Sequence, residues 1–206
     1  MRRFFLFILI VLSGLIFLIH RPVLSRESQK TYQADLAVYF SPEGQAREAI
    51  VEEINRSEKS IKIAMYFFSD AILANALLKA KERGIDVKIV LNRENSGEKN
   101  SKRDWLEEKE IAIRYYSPEV KKRKPDDEAN RDKPGKMHHK FAVIDERIVI
   151  TGSFNWTYSA EKYNNENLLV IYDQELAQAY LAQWQALWDK GITHQKLLES
   201  DKSKKE

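Results

Sequence analysis

Apolar positions fall into short blocks whose spacing alternates between a strand period and a helix period. Leu36 to Phe40 is an apolar, aromatic-rich run closed by Ser41-Pro42-Glu43-Gly44, which predicts a strand and a turn. Ala46, Ala49, Ile50 and Ile54 follow at helical spacing. Ile61 to Phe68 is nearly unbroken in β-branched and aromatic residues, the pattern of a strand buried on both faces. Asp70 is placed to cap a helix whose Leu73, Ala76, Leu77 and Ala80 share one face and which Gly84 ends. Val87, Ile89 and Leu91 alternate as the next strand. This succession predicts an α/β sheet covered by helices.

Further along, Asn92 to Lys102 reads as a polar loop, Trp105 to Glu110 as a helix and Ile111 to Tyr116 as a strand. Residues 117–137 hold Pro118, Pro125, Pro134 and Gly135 without periodicity, a long loop of the kind that carries function. Phe141 to Asp145 and Ile148 to Thr151 form a hairpin about Glu146-Arg147, and Leu168 to Tyr172 is another strand. Glu175 to Trp188 closes the domain as an amphipathic helix with Leu176, Tyr180, Trp184 and Leu187 in one stripe, which reads as core packing.

The ends differ from this body. Phe4 to Ile19 is apolar apart from Ser13 and Gly14 and follows Arg2 and Arg3. As a helix it would be about 24 Å long, short of a hydrocarbon core of about 30 Å. It is a signal peptide or an N-terminal membrane anchor, with Val23 and Ser25 at the spacing of a cleavage site. The leading arginines keep the N-terminus cytoplasmic, so the domain is expected outside the cytoplasm: exported, periplasmic or extracellular, or held at the membrane. The expected organisation is a leader over 1–25, a linker over 26–34, the domain over 35–190 and a charged tail over 191–206.

Composition narrows the chemistry. With 206 residues, 43% hydrophobic and 32% charged, the chain has room for one domain with a real core, and collagen, coiled coil and bulk disorder are excluded. Cysteine is absent, which removes disulfides, thiolate zinc sites and cysteine nucleophiles. The net charge of +3 is carried by Arg2, Arg3 and Arg21, so any attraction for polyanions has to come from a local patch. Lys121-Lys122-Arg123-Lys124 is such a patch and a candidate polyanion contact, although Asp126-Asp127-Glu128 follows it and a solvated charged loop is the alternative. No residues have the spacing of a metal site, and neither a metal nor another cofactor is expected.

The informative stretch is His138-His139-Lys140-Phe141-Ala142-Val143-Ile144-Asp145, then Gly152-Ser153-Phe154-Asn155, then Asn165-Glu166-Asn167. Strand alternation puts His138 and Lys140 on one face and His139 on the other. Gly152 allows close approach of a backbone, and Ser153 and Asn155 supply small polar groups where a helix is expected to begin at Trp156. Together they read as a phosphate site of Lys140, Asn155 and backbone amides, with His138 able to attack phosphorus. Glu166 is the candidate carboxylate for the imidazole's other nitrogen.

These residues resemble the phospholipase D superfamily, whose signature HxKxxxxD followed by GSxN is matched by His138, Lys140, Asp145, Gly152, Ser153 and Asn155. Phe40-Ser41-Pro42, Lys59-Ser60-Ile61, Ala64 to Phe68 and Arg83 to Val87 resemble the small single-motif members, among them bacterial exported endonucleases and mitochondrial membrane-anchored proteins. The resemblance spans residues 35–190. It implies the phospholipase D/nuclease fold with one HKD motif per chain, expected here as a mixed, largely parallel sheet with helices on both faces. It also implies two-step, metal-independent phosphodiester cleavage through a covalent phosphohistidine, with Asp145 among the catalytic residues.

Assembly follows from counting imidazoles. The mechanism needs a nucleophile and a second imidazole to protonate the leaving oxygen, and the chain has four histidines. His20 lies in the leader, His194 follows the closing helix, and His139 faces away from His138. The second imidazole is therefore expected from another copy, in a two-fold homodimer sharing the site. The leading reading is an endonuclease on DNA or RNA. The alternatives are a phospholipase D acting on phospholipids, to which the leader would give membrane access, and a non-catalytic anchored nucleic-acid-binding module.

Overall fold

In the computed structural model, which describes residues 32–94, 101–118 and 135–202, the periodic blocks become regular elements. They are β1 (Asp35–Ser41), α1 (Ala46–Arg56), β2 (Ser60–Met65), α2 (Ala71–Glu82), β3 (Asp86–Asn92), α3 (Arg103–Glu108) and β4 (Ala112–Tyr116). Later in the chain come β5 (Lys140–Ile144), β6 (Ile148–Gly152), α4 (Tyr158–Lys162), β7 (Glu166–Tyr172), α5 (Gln174–Lys190) and α6 (His194–Lys202). The leader and most of the linker lie outside the described residues, as do Lys121, Lys122, Arg123 and Lys124. Among the described residues no helix is long and apolar enough to cross a membrane.

Local chemistry explains several boundaries. Asp70 caps α2 by accepting hydrogen bonds from the amides of Ile72 (2.8 Å) and Leu73 (2.9 Å). Gly84 follows that helix at φ 89°, a left-handed conformation that glycine adopts without a steric cost. Asp173 caps α5 through the amide of Leu176 at 2.8 Å.

The seven strands form one sheet in the order β1-β7-β6-β5-β2-β3-β4. The expectation of a largely parallel sheet is overturned. Only β2 with β3 and β3 with β4 are parallel, while β1 with β7, β7 with β6, β6 with β5 and β5 with β2 are antiparallel. Helical crossovers α2 and α3 make the two parallel pairs. Of the antiparallel pairs only β5–β6 is a hairpin; β6 and β7 are joined through α4, while β2–β5 and β1–β7 bring together strands far apart in sequence. The unbroken apolar runs report burial on both faces, which helices on either side produce whatever the strand direction.

Helices do cover both faces. On one, Ile50, Ile54, Leu73 and Leu77 of α1 and α2 pack with Ile61, Ile63 and Met65 of β2. On the other, Ala177, Trp184 and Leu187 of α5 pack with Ala64, Val90, Phe141 and Val143. Residues 191–206 were expected as a charged tail. Most of that segment instead forms α6, which docks on β4 with Leu197 buried, while Ile192 bridges to Tyr115. At the other edge, Leu36, Val38 and Phe40 of β1 remain 48–62% exposed, on the face opposite Tyr39 and so on the α5 side.

Candidate active site

Because β5 runs antiparallel to β2, its first residue lies beside the last residue of β2, and Lys140 pairs with Met65. The ladder continues one step, with the Tyr66 amide donating to the His139 carbonyl at 2.8 Å. Just upstream, the Met137 amide donates to Oδ1 of the fully buried Asn92 at 3.0 Å. His138 is held between these two anchors at the C-terminal end of the parallel strands. Its ring lies 4.3 Å, centroid to centroid, from that of Tyr66.

The Lys140 ammonium donates to the His138 carbonyl at 2.8 Å and contacts Nδ1 of the same residue at 3.2 Å. An ammonium can only donate, so Nδ1 is the acceptor and a neutral ring carries its proton on Nε2. Lys140 Nζ also sits 4.8 Å from the Tyr66 ring centroid, and Lys136 Nζ 5.7 Å from it while donating to the tyrosine hydroxyl at 3.3 Å. Partial burial lowers the His138 pKa, and the charges of Lys140, Lys136 and His139 push it the same way. Burial likewise lowers the Lys140 pKa, against the opposing pull of Glu166. The shift disfavours protonation of the His138 ring, and Lys140 and Lys136 beside it supply positive charge that attracts an anion.

The glycine turn does different work from that expected. Gly152 has φ 148°, and a Cβ there would lie 2.2 Å from the Asn167 carbonyl oxygen. That close approach lets the Asn167 carbonyl accept from the amides of Ser153 (3.1 Å) and Phe154 (3.3 Å), and Asn167 Oδ1 also accepts from the Ser153 amide. These amides are therefore taken and do not cradle a phosphate. The helix expected at Trp156 begins at Tyr158 and is capped by Thr157, so its N-terminus is no anion site either.

Ser153 donates to Glu166 at 2.5 Å and accepts from the Asn167 amide at 3.1 Å. The other oxygen of Glu166 accepts from Asn164 at 3.1 Å. Each carboxylate oxygen of Glu166 thus has a partner, and among the described residues no hydrogen bond joins Glu166 to the His138 ring. Asn155 follows the glycine turn by three residues, and its buried Oδ1 has no hydrogen-bond partner among the described residues.

Asp145 is a correction to the expected catalytic set. It lies five residues along β5 from Lys140, about 17 Å at about 3.3 Å per residue, and cannot reach a group bound there. Its carboxylate accepts from three successive amides, Glu58 (2.9 Å), Lys59 (2.7 Å) and Ser60 (2.9 Å), and so pins the start of β2 to the β5–β6 turn. At φ 51° it occupies a conformation that aspartate tolerates better than most residues. Asp145→Ala is expected to lower unfolding stability by about 2 kcal/mol, the scale of hydrogen bonds to a charged group. Urea titration measures this, and kcat per folded molecule is expected to be retained; a normal midpoint with lost turnover would contradict the assignment.

Sequence reading missed Tyr66, Lys136 and Asn92. Tyr66 was visible only as part of an apolar strand run, and Asn92 as the start of a loop. Their role depends on which strands become neighbours, which spacing alone does not encode. The structure also gathers Asp104, Glu107 and His194, whose ligand atoms lie within 4.8 Å of one another. Glu107 is already engaged by His194 Nδ1 and by the Tyr115 hydroxyl, each at 2.7 Å. This group sits by β4, three strands from β5.

Comparison with known proteins places these residues in context. The family model described as "Cardiolipin synthase, PLD-like domain" matches residues 50–188. A phospholipase D of Rickettsia conorii is 37% identical over 153 residues, 74% of this chain and 68% of that protein. The human mitochondrial cardiolipin hydrolase is 29% identical over 150 residues, 72% of this chain and 54% of the relative. Among solved structures, the phospholipase D family member Nuc from Salmonella typhimurium superposes with a TM-score of 0.66 at 32% identity, covering 78% of this chain and 97% of that one. NucT from Helicobacter pylori gives 0.71 at 26% identity, covering 78% and 99%.

Proposed function

The chain belongs to the phospholipase D superfamily as a phosphodiester hydrolase, and from that premise we propose that it is a metal-independent endonuclease acting through a phosphohistidine on His138. The observation that supports this reading is the contact of Lys140 Nζ with His138 Nδ1 at 3.2 Å, an ammonium set directly against an imidazole. An arriving phosphate draws Lys140 off Nδ1, and the ring is then free to change tautomer. His138 attacks phosphorus, the bond to the leaving oxygen breaks, and that oxygen takes a proton from a second imidazole. Water, deprotonated by the same imidazole, then breaks the P–N bond and restores His138. Lys140 and the Asn155 side chain stabilise the charge that builds on the phosphoryl oxygens. Asp145 and Glu166 act at a distance, as supports of β2 and of Ser153.

The second imidazole belongs to another copy in a homodimer that shares the site. Two observations support this. His139 is turned to the other face, and His194 is tied to Glu107. The exposed apolar strip of β1 ends at Phe40, directly opposite Asn167 in the strand register and so next to the glycine turn, where a second chain would bring its own site close. The reading also places the domain outside the cytoplasm, exported or tethered by residues 1–25.

Nucleic acid is favoured by Lys136 beside the site and by the basic run Lys121, Lys122, Arg123 and Lys124 upstream in the sequence. Phospholipid is the second reading, supported by relatives named phospholipase D and cardiolipin hydrolase. The full chain in detergent, given DNA, RNA and cardiolipin vesicles in excess chelator, separates them. Expected is nucleic-acid cleavage undiminished by the chelator and no release of phosphatidic acid. Phosphatidic acid without nuclease activity would select the lipid reading, and reversible loss of all activity on metal removal would overturn the metal-free mechanism.

A further inference from the structure

Beside His138 an open groove of about 390 Å³ runs between the start of β5 and α5. Strand alternation turns Lys140 to the α1/α2 side and His139 and Phe141 to the α5 side, so the groove begins at the candidate site and continues over the opposite face of the sheet. Its wall is a ladder of rings: His139 meets Phe141 edge to face at 5.4 Å, and Phe141 meets Tyr180 edge to face at 5.0 Å. Gln183 stands on the rim with its amide nitrogen 3.5 Å from His139 Nε2, too long for a firm hydrogen bond, so both groups keep capacity for a ligand. Thr151 adds a hydroxyl.

We propose that this groove takes the unpaired nucleobase next to the cleaved phosphate, stacked along Tyr180 and His139 and read at its edge by Gln183. The proposal rests on the nuclease reading above and names what that site recognises besides phosphate. The lining chemistry argues for a base. A flat heteroaromatic ring uses both the ring faces and the in-plane amide, whereas a glycerol backbone has no plane to stack. A cationic lipid headgroup would find no carboxylate among the lining residues and two lysines close by. A nucleotide straddling the first residues of β5 would set its phosphate against Lys140 and its base against the aromatic ladder.

The test uses the full chain in detergent and pairs of labelled single-stranded oligonucleotides that differ by one abasic residue, in whichever of DNA or RNA is cut faster. Wild-type protein is expected to cut the phosphate on one side of the abasic residue about tenfold more slowly, equivalent to about 1.4 kcal/mol and within the range of base–aromatic stacking. Tyr180→Ala should erase that difference and Tyr180→Phe should keep it. The exposed Gln183→Ala, which carries little folding risk, should change the relative rates among the four bases. Uniform cutting across the abasic residue, or unchanged discrimination in Tyr180→Ala and Gln183→Ala, would overturn the groove assignment and leave the nuclease reading standing. Absence of any oligonucleotide cleavage, with phosphatidic acid released from vesicles, would remove the nuclease reading and the groove assignment together.

Discussion

His138→Ala is expected to reduce turnover by more than about 10⁴-fold, beyond what one positioned proton-transfer group supplies, because the nucleophile itself is lost. His139→Ala is expected to stay within about tenfold, since that ring faces the groove on the other side of β5 and contacts Phe141 and Gln183. Quenching the reaction during turnover should trap a phosphorylated protein with its label on His138; a label on His139 would overturn the assignment. The pH profile gives a second check. Attack needs the neutral ring, so kcat/KM should fall on the acid side, through a pKa held below the ordinary histidine value by partial burial and by Lys140, Lys136 and His139. A neighbouring cation disfavours protonation, so removing one raises the pKa. Lys136→Gln should therefore move the acid limb to higher pH. A limb that stays put would mean that His138 is not the group titrating.

Much of this site is written locally. The apolar alternation of β3, the Asp70 cap, the stop at Gly84 and the shared face of His138 and Lys140 all depend on residues within a few positions of one another. What spacing does not carry is which distant segments become neighbours. The direction of β5 beside β2 was lost for that reason, and with it the stacking of Tyr66 on His138 and the hold of Asn92 on Met137. Asp145 shows the converse error. The signature puts it in one motif with His138, yet a strand carries it about 17 Å away, and its work is done on three amides of another segment. The glycine turn was recognised, but its amides face Asn167, a residue known only once β6 and β7 pair. The segment after α5 is charged enough to read as a tail, and Leu197 alone gives little sign that it docks on β4.

Mixed dimers carrying one His138→Ala subunit are expected to be nearly inactive on natural phosphodiesters, and this outcome follows from imidazole supply rather than from family likeness. Within one chain His139 points to the α5 face and His194 is bound to Glu107 three strands away, so neither is placed to protonate a leaving oxygen at Lys140. If His138 of one subunit attacks and His138 of the partner subunit donates the proton, a mixed dimer keeps one role and loses the other. The missing acid is worth about 10² to 10⁴-fold when the leaving group is an alkoxide. An aryl phosphodiester needs little protonation, so the surviving histidine should still attack it at a measurable rate. Differently tagged subunits, purified by successive affinity steps, give the mixed species free of both parents. Half of wild-type activity on both substrates would mean that each chain holds a complete site, and the shared-site dimer would be wrong.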